Sequence, residues 1–241
     1  MSSLSAQTRE RSSLRTNSVV RPKSRFRKIL LSLVVVIAII SVSIAIDLFG
    51  PRSTSLRQFD PNEVARLETA MWRSYYDKER VLLFRQLAEL MRTQYRLPFF
   101  RSNVVAFQAA KAAFVFKEGR GRSDYEKALP NLVNYYRAIH QIGDVNFDSS
   151  RAAKLELEWW IIHRERKKYG HEALNRALAE LPAEIYQIPA ARLMEHARLR
   201  AEAMLIRDDK AEAGGVSEED WKRIDELLRA SWQALSRTVN Q

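Results

Sequence analysis

Glutamate and histidine recur on segments with helical spacing, and that combination is the sharpest chemical signal in the chain. Glu68 falls on one such segment, Glu156, Glu158 and His163 on a second, and Glu195, His196 and Glu202 on a third. Long helices bearing these residues can build a metal or acid–base site inside a bundle. Carboxylate-bridged di-iron bundles do so with a Glu-x-x-His pair on each of two helices. That pair is missing here, because His140, His163, His171 and His196 have Arg137, Trp160, Lys168 and Leu193 three residues before them. No metal, no cofactor and no catalytic residue is therefore assigned. A ligand pocket between helices is the alternative expectation to a binding or scaffolding surface. Glu156, Trp160 and His163 share one helix face by their spacing, and Glu68 and Tyr75 belong to an earlier helix. These five residues are the expected lining, with carboxylates converging.

Aromatic pairs form a second signal. Trp72, Tyr75 and Tyr76 sit on the first segment, Tyr135 and Tyr136 on another, and Trp159 and Trp160 beside Glu158. Aromatics with polar handles line small-molecule sites and also anchor cores. Adjacent residues on a helix point about 100° apart, so one member of each pair is expected in the core and the other on a neighbour or a ligand. Arg73, Asp77, Lys78, Glu79 and Arg80 interrupt the apolar stripe of their segment, and Arg73–Asp77 and Asp77–Arg80 are spaced for intrahelical pairs. The loop Lys117–Arg122 sets two glycines among bases before a helix start, an arrangement that can hold an anion. It lacks the Gly-Lys-Ser/Thr ending of a P-loop, and a solvated turn is the simpler expectation. No Gly-x-Ser-x-Gly and no His-Glu-x-x-His occurs.

The elements that must position these residues are helices. All seven glycines fall between periodic segments, never inside one, as expected where glycine ends helices and weakens their interiors. Asp60, Pro61 and Glu63 form a helix start. The apolar period then runs through Val64, Leu67, Met71, Tyr75, Leu82, Leu83, Leu87 and Leu90 toward Arg96, about three times the mean helix length. Further helices are expected over 102–117, 123–142 (kinked at Pro130), 149–169 after Asp148, 172–181, 189–212 and 218–237 after Ser217. No alternating Val/Ile/Thr runs bounded by turn residues appear outside the apolar N-terminal segment. The expected fold class is all-α: one transmembrane helix, then a bundle of about six to seven helices over 60–241.

The transmembrane segment is Ile29–Phe49, whose first eighteen residues carry no charge. At about 1.5 Å per residue it matches a hydrocarbon core of roughly 30 Å. Residues 1–28 hold eight bases and one acid, which predicts a disordered basic tail on the cytoplasmic side and an extracytoplasmic domain after a short polar linker at 50–59. A cleaved signal peptide is the rival, with Ser41-Val42-Ser43 as a weak site. The net charge of +11 is concentrated in that tail, where it suits anionic lipid headgroups rather than nucleic acid. Ser41 and Ala45 make a small-x-x-x-small pattern compatible with a homodimer. Cysteine is absent, so disulfides and thiolate chemistry are excluded. The expectation is a single-pass membrane protein that binds or scaffolds in the cell envelope, with a protein partner open, or else a membrane-tethered enzyme or ligand-binding protein.

Overall fold

The computed structural model describes residues 23–241. Most of the expected disordered tail, residues 1–22, lies outside the described residues. The chain divides into two compact units, Met1–Ser43 and Ile44–Gln241.

Helix α1 spans Lys23–Phe49 of the described residues and so includes residues before the apolar run proper. The stretch Phe26–Phe49 is long and apolar enough to cross a membrane, with a mean hydropathy of 3.1 over its most apolar window. Its side chains from Ile29 through Ile40 are exposed around the whole circumference. An apolar helix with no polar face and no packing partner is unfavourable in water, where each exposed Å2 costs about 25 cal/mol.

The second unit is all-α. Its long helices are α2 (Pro61–Tyr76), α3 (Arg80–Tyr95), α4 (Phe99–Glu118), α6 (Leu129–His140), α7 (Ser149–Arg164), α9 (His171–Tyr186), α10 (Met194–Glu212) and α11 (Glu218–Val239). Two four-residue helices, α5 (Arg122–Tyr125) and α8 (Arg166–Tyr169), lie in connections, and the only β contact among the described residues is an isolated bridge between Thr54 and Gly143. Eight long helices replace the expected six to seven, because the first long segment is two helices. Its break falls at the charged run Asp77–Arg80, where Lys78 takes a left-handed backbone (φ 63°) and Glu79 N–H bonds back to Ser74 C=O at 2.9 Å. Reversal there lays both halves of the apolar stripe against each other. Arg73 turns to Glu218 on α11 instead of Asp77. Pro130 opens α6 rather than kinking it, and Pro182 sits inside α9 rather than ending it.

Neighbours in the chain are neighbours in space. Helix α2 packs on α3, α3 on α4, α4 on α6, α6 on α7, α7 on α9, α9 on α10 and α10 on α11, and α11 then closes against α2. The result is a ring of eight helices. Short connections force each helix to run against the last. The caps fix where each begins: Asp60 accepts from the N–H groups of Asn62 and Glu63, Asp148 from Ser150 and Arg151, and Ser217 and Asp220 form a reciprocal capping box. Glu63 pairs with Arg66 rather than closing a box.

Residues 51–59 are not a free linker. Leu56 is fully buried against Gly143, where a Cβ would come within 2.8 Å of the leucine. Arg57 donates to the C=O of Tyr186 at 2.9 Å and of Val239 at 2.6 Å. It thereby satisfies carbonyls at the ends of α9 and α11, where a cation also suits the helix dipoles. This segment stops one end of the ring.

Candidate functional site

The ring encloses a cavity of about 550 Å3, and each of the eight long helices contributes to its wall. Glu68, Tyr75, Glu156, Trp160 and His163 all line it. The other members of the Glu/His set divide. His196 is also on the wall, whereas Glu158, Glu195 and Glu202 point outward to Arg122, Arg237 and Arg223. Both members of each adjacent pair, Tyr75 with Tyr76, Tyr135 with Tyr136 and Trp159 with Trp160, reach the cavity. In a ring each helix shows the interior an arc wide enough for two successive side chains, so the expected division of labour within a pair does not arise. The partners meet edge to face, with centroids 5.1, 4.9 and 6.1 Å apart.

Toward the plugged end the wall is closed. Gln94, Tyr95, Tyr186, His196 and Trp232 are buried there, near the helix ends that Arg57 stops. Toward the opposite end, Tyr75, Tyr76, Phe114, Arg164, Arg166 and Arg207 are partly exposed. The cavity is therefore reached from the end carrying the α2–α3 and α4–α5 connections.

Two carboxylates sit in this wall, and both are held by donors. Glu68 Oε1 accepts from Arg200 Nε at 3.0 Å and Nη2 at 2.6 Å, and Oε2 accepts from Trp232 Nε1 at 2.6 Å. Glu156 Oε2 accepts from the Tyr136 hydroxyl at 2.7 Å, and Oε1 from Trp160 Nε1 at 2.8 Å. Burial opposes the charge on Arg200, but the Glu68 carboxylate outweighs it and raises the guanidinium pKa. Both oxygens of each carboxylate thus accept from the wall, which fixes their orientation.

The remaining polar groups of the wall divide: some are partnered, whereas Trp159 Nε1, Tyr186 Oη and Arg207 Nε are buried with no hydrogen-bond partner among the described residues. His196 Nδ1 lies 3.0 Å from Ser231 C=O and 2.7 Å from its hydroxyl, and burial drops its pKa to about 3, so the ring is neutral. His163 Nε2 lies 3.0 Å from Asp208 Oδ2, which also faces Arg166 at 3.3 Å. Burial acts to raise the Asp208 pKa, but His163, Arg207 and Arg166 together lower it. Burial pushes Tyr76 up to about 12 and holds Tyr95, Tyr135, Tyr136 and Tyr186 above the ordinary phenol range. The tyrosine hydroxyls therefore stay neutral. Among the described residues no group of three or more His, Asp or Glu side chains is placed to hold a metal.

Arg164 differs from the other cations of the wall. Arg166, Arg200 and Arg207 each face a carboxylate. Arg164 has none within 4 Å among the described residues. It donates to Phe116 C=O at 2.8 Å and Gly119 C=O at 3.3 Å, and lies 4.0 Å over the Phe116 ring. These contacts, with the Arg120 N–H to Asp124 bond at 3.2 Å, occupy the loop Lys117–Arg122. The loop is a bonded turn, and α5 is too short to supply an anion site.

Sequence reasoning missed Arg164, Arg200 and Trp232. Arg200 and Trp232 lie far along the chain from Glu68, and no local pattern announces such partners. Arg164 was legible in principle, being two helical turns beyond Glu156 on the same face. Comparison with protein-family models, curated proteins and solved structures gives no match for this chain.

Proposed function

We propose that this is a single-pass membrane-anchored binding protein whose helical ring holds a small, largely apolar organic ligand. The observation that carries this reading is the cavity itself. Its volume lies within the range of about 300–1,000 Å3 usual for small-molecule sites. Its wall is mostly aromatic and aliphatic, with a few fixed polar groups. The carboxylates are tied down by Arg200, Trp232, Tyr136 and Trp160, which favours binding over acid–base catalysis. An aromatic or acyl body suits the tryptophans and tyrosines, and an acceptor end group suits Arg164 near the mouth.

The apolar helix supports the anchor, and the cation-rich residues before it support an N-terminus on the cytoplasmic side with the ring outside. A binding role in the cell envelope follows from that placement.

The test uses the full chain in lipid nanodiscs, with dansylamide as a neutral aromatic probe. Trp72, Trp159, Trp160 and Trp232 line the cavity, so a bound dansyl group receives energy from them. The expected result is a saturable transfer signal above that of empty nanodiscs. Ala113→Phe, which fills the cavity from α4, is expected to abolish it while leaving helicity unchanged. A wild-type signal indistinguishable from empty nanodiscs, or one that survives in the filled variant, overturns the reading.

A further inference from the structure

Helix α4 carries an apolar stripe that the ring does not use. Phe99, Phe100, Val104 and Phe107 are 59%, 39%, 50% and 56% exposed. Phe100, Val104, Phe107 and the exposed Lys111 follow the spacing of a single helix face. From Pro51 to Gln241 the other exposed large hydrophobics are Val81 and Leu82 on the adjoining α3, and Tyr169.

Charge collects on the same hairpin. Residues 80–118 hold seven bases (Arg80, Arg85, Arg92, Arg96, Arg101, Lys111 and Lys117) and two acids, Glu89 and Glu118. The remainder of residues 50–241 holds 25 bases and 25 acids. All of that region's net positive charge therefore sits on α3 and α4. Among the described residues none of the seven bases forms an ion pair, although carboxylates engage bases on most other helices of the ring. Arg92 lies over the Phe99 ring at 5.7 Å and bonds the Ser102 hydroxyl at 3.1 Å, which leaves its charge uncompensated.

The start of α4 is tied to the place where the apolar helix ends. Arg101 N–H donates to Asp47 Oδ1 at 3.0 Å, and Arg101 Nη2 donates to Gly50 C=O at 2.9 Å. Asp47 is the first charged residue after the apolar run, so it marks the bilayer surface on the anchor reading. Phe99 and Phe100 immediately precede Arg101.

We infer that the outer face of α4, from Phe99 to Lys111, docks on an anionic lipid bilayer, with its phenylalanines among the headgroups and the exposed, unpaired Arg85, Arg96 and Lys111 facing lipid phosphates. Bulky apolar residues flanked by bases on one helix face are the pattern of an interfacial helix. Each base held near an anionic surface is worth about fivefold in partitioning. The inference rests on the membrane-anchor reading, and its test separates the two.

The chain has no cysteine, so one introduced thiol can be labelled alone. Val36→Cys, Val104→Cys, Phe107→Cys and Lys154→Cys are each made in the full chain and labelled with a nitrobenzoxadiazole fluorophore. They are reconstituted in phosphatidylcholine vesicles, with and without phosphatidylglycerol, containing nitroxide-labelled lipid. The expected result is strong quenching at position 36 in both, quenching at 104 and 107 that rises with phosphatidylglycerol, and none at 154. Adding Arg96→Glu and Lys111→Glu is expected to remove the phosphatidylglycerol-dependent part at 104 and 107 without changing position 36. Quenching at 36 with none at 104 and 107 overturns the docking and leaves the anchor standing. Blue-shifted but unquenched emission at 104 and 107 marks burial against a second copy and overturns it equally. Absence of quenching at 36 overturns the anchor as well.

Discussion

Arg200 and Glu68 meet inside the ring across 132 residues of sequence, with Nε and Nη2 of the arginine both bonded to Oε1 of the glutamate at 3.0 and 2.6 Å. Helices α2 and α10 both flank α11, and Trp232 of α11 completes the cluster through Glu68 Oε2. One carboxylate thereby fixes the register of three helices, including the pair that closes the ring. Burying the two charges is costly by itself, and the pair is tolerated because each partner satisfies the other.

Glu68→Gln leaves the Arg200 guanidinium without a counter-charge in the wall. Removing one partner of a buried pair costs about 3–5 kcal/mol, so a loss near the lower end of that range is expected, Arg200 being only partly enclosed. Joint replacement, Glu68→Met with Arg200→Met, removes both charges and keeps the volume. It is expected to be less destabilised than the single variant. Thermal melts of the three proteins followed by circular dichroism check this, and a double variant weaker than Glu68→Gln would show that the pair does more than compensate itself.

Acid sensitivity is expected to begin with His196. Its ordinary value of 6.5 drops to about 3 in the folded chain. Between those values the unfolded chain binds a proton that the folded chain refuses. Stability is then full above pH 6.5 and falls as pH is lowered toward 3, by up to about 1.4 kcal/mol per unit. Asp208 and Asp220 have lowered values, so their contributions are lost only as pH falls below the ordinary aspartate range near 3.8. Loss between pH 6.5 and about 5 therefore belongs to the histidine. In His196→Gln, melting temperatures measured across that window are expected to be flat where the wild type slopes.

The probe series gives Arg164 its own prediction. Dansylglycine differs from dansylamide in carrying a carboxylate. Arg164→Gln keeps a donor for the Phe116 and Gly119 carbonyls and removes the charge. It is expected to weaken dansylglycine by about tenfold, the worth of one charge-assisted hydrogen bond, and to leave dansylamide within about twofold. Equal weakening of both would place the arginine's role in shaping the mouth rather than in meeting an acid group.

The helical class was legible because its signals are local. Asp60, Asp148 and Ser217 start helices where side chains can reach the first N–H groups, and the glycines fall in connections. The five candidate lining residues were legible for a related reason. A bulky polar residue on an otherwise apolar helix face is costly to bury without partners, so several sharing such faces point to an interior that is at least partly polar. Ring closure was not legible, since it depends on α11 meeting α2 and no local pattern encodes that contact. The Arg57 plug was hidden likewise, its carbonyl partners lying 129 and 182 residues away. The exposed stripe on α4 cannot be told from core in the sequence, because periodic phenylalanines read the same whatever covers them.

Lys78 gives a test of the architecture whose outcome turns on sign. The apolar period across 61–96 reads as one helix, and only the run Asp77-Lys78-Glu79-Arg80 interrupts it. If that helix were continuous, glycine at position 78 would cost about 1 kcal/mol, as it does inside any exposed helix. In the ring, Lys78 holds φ 63°, a left-handed conformation that costs a side-chain-bearing residue about 1–2 kcal/mol and glycine almost nothing. Glycine's extra unfolded-state freedom offsets part of that relief. Lys78→Gly is therefore expected to raise stability by about 0.5–1 kcal/mol, and Lys78→Val, β-branched and ill-suited to positive φ, to lower it. Melting temperatures of the two variants settle whether the chain reverses here, since a continuous rod predicts a loss from glycine and the α2–α3 hairpin predicts a gain.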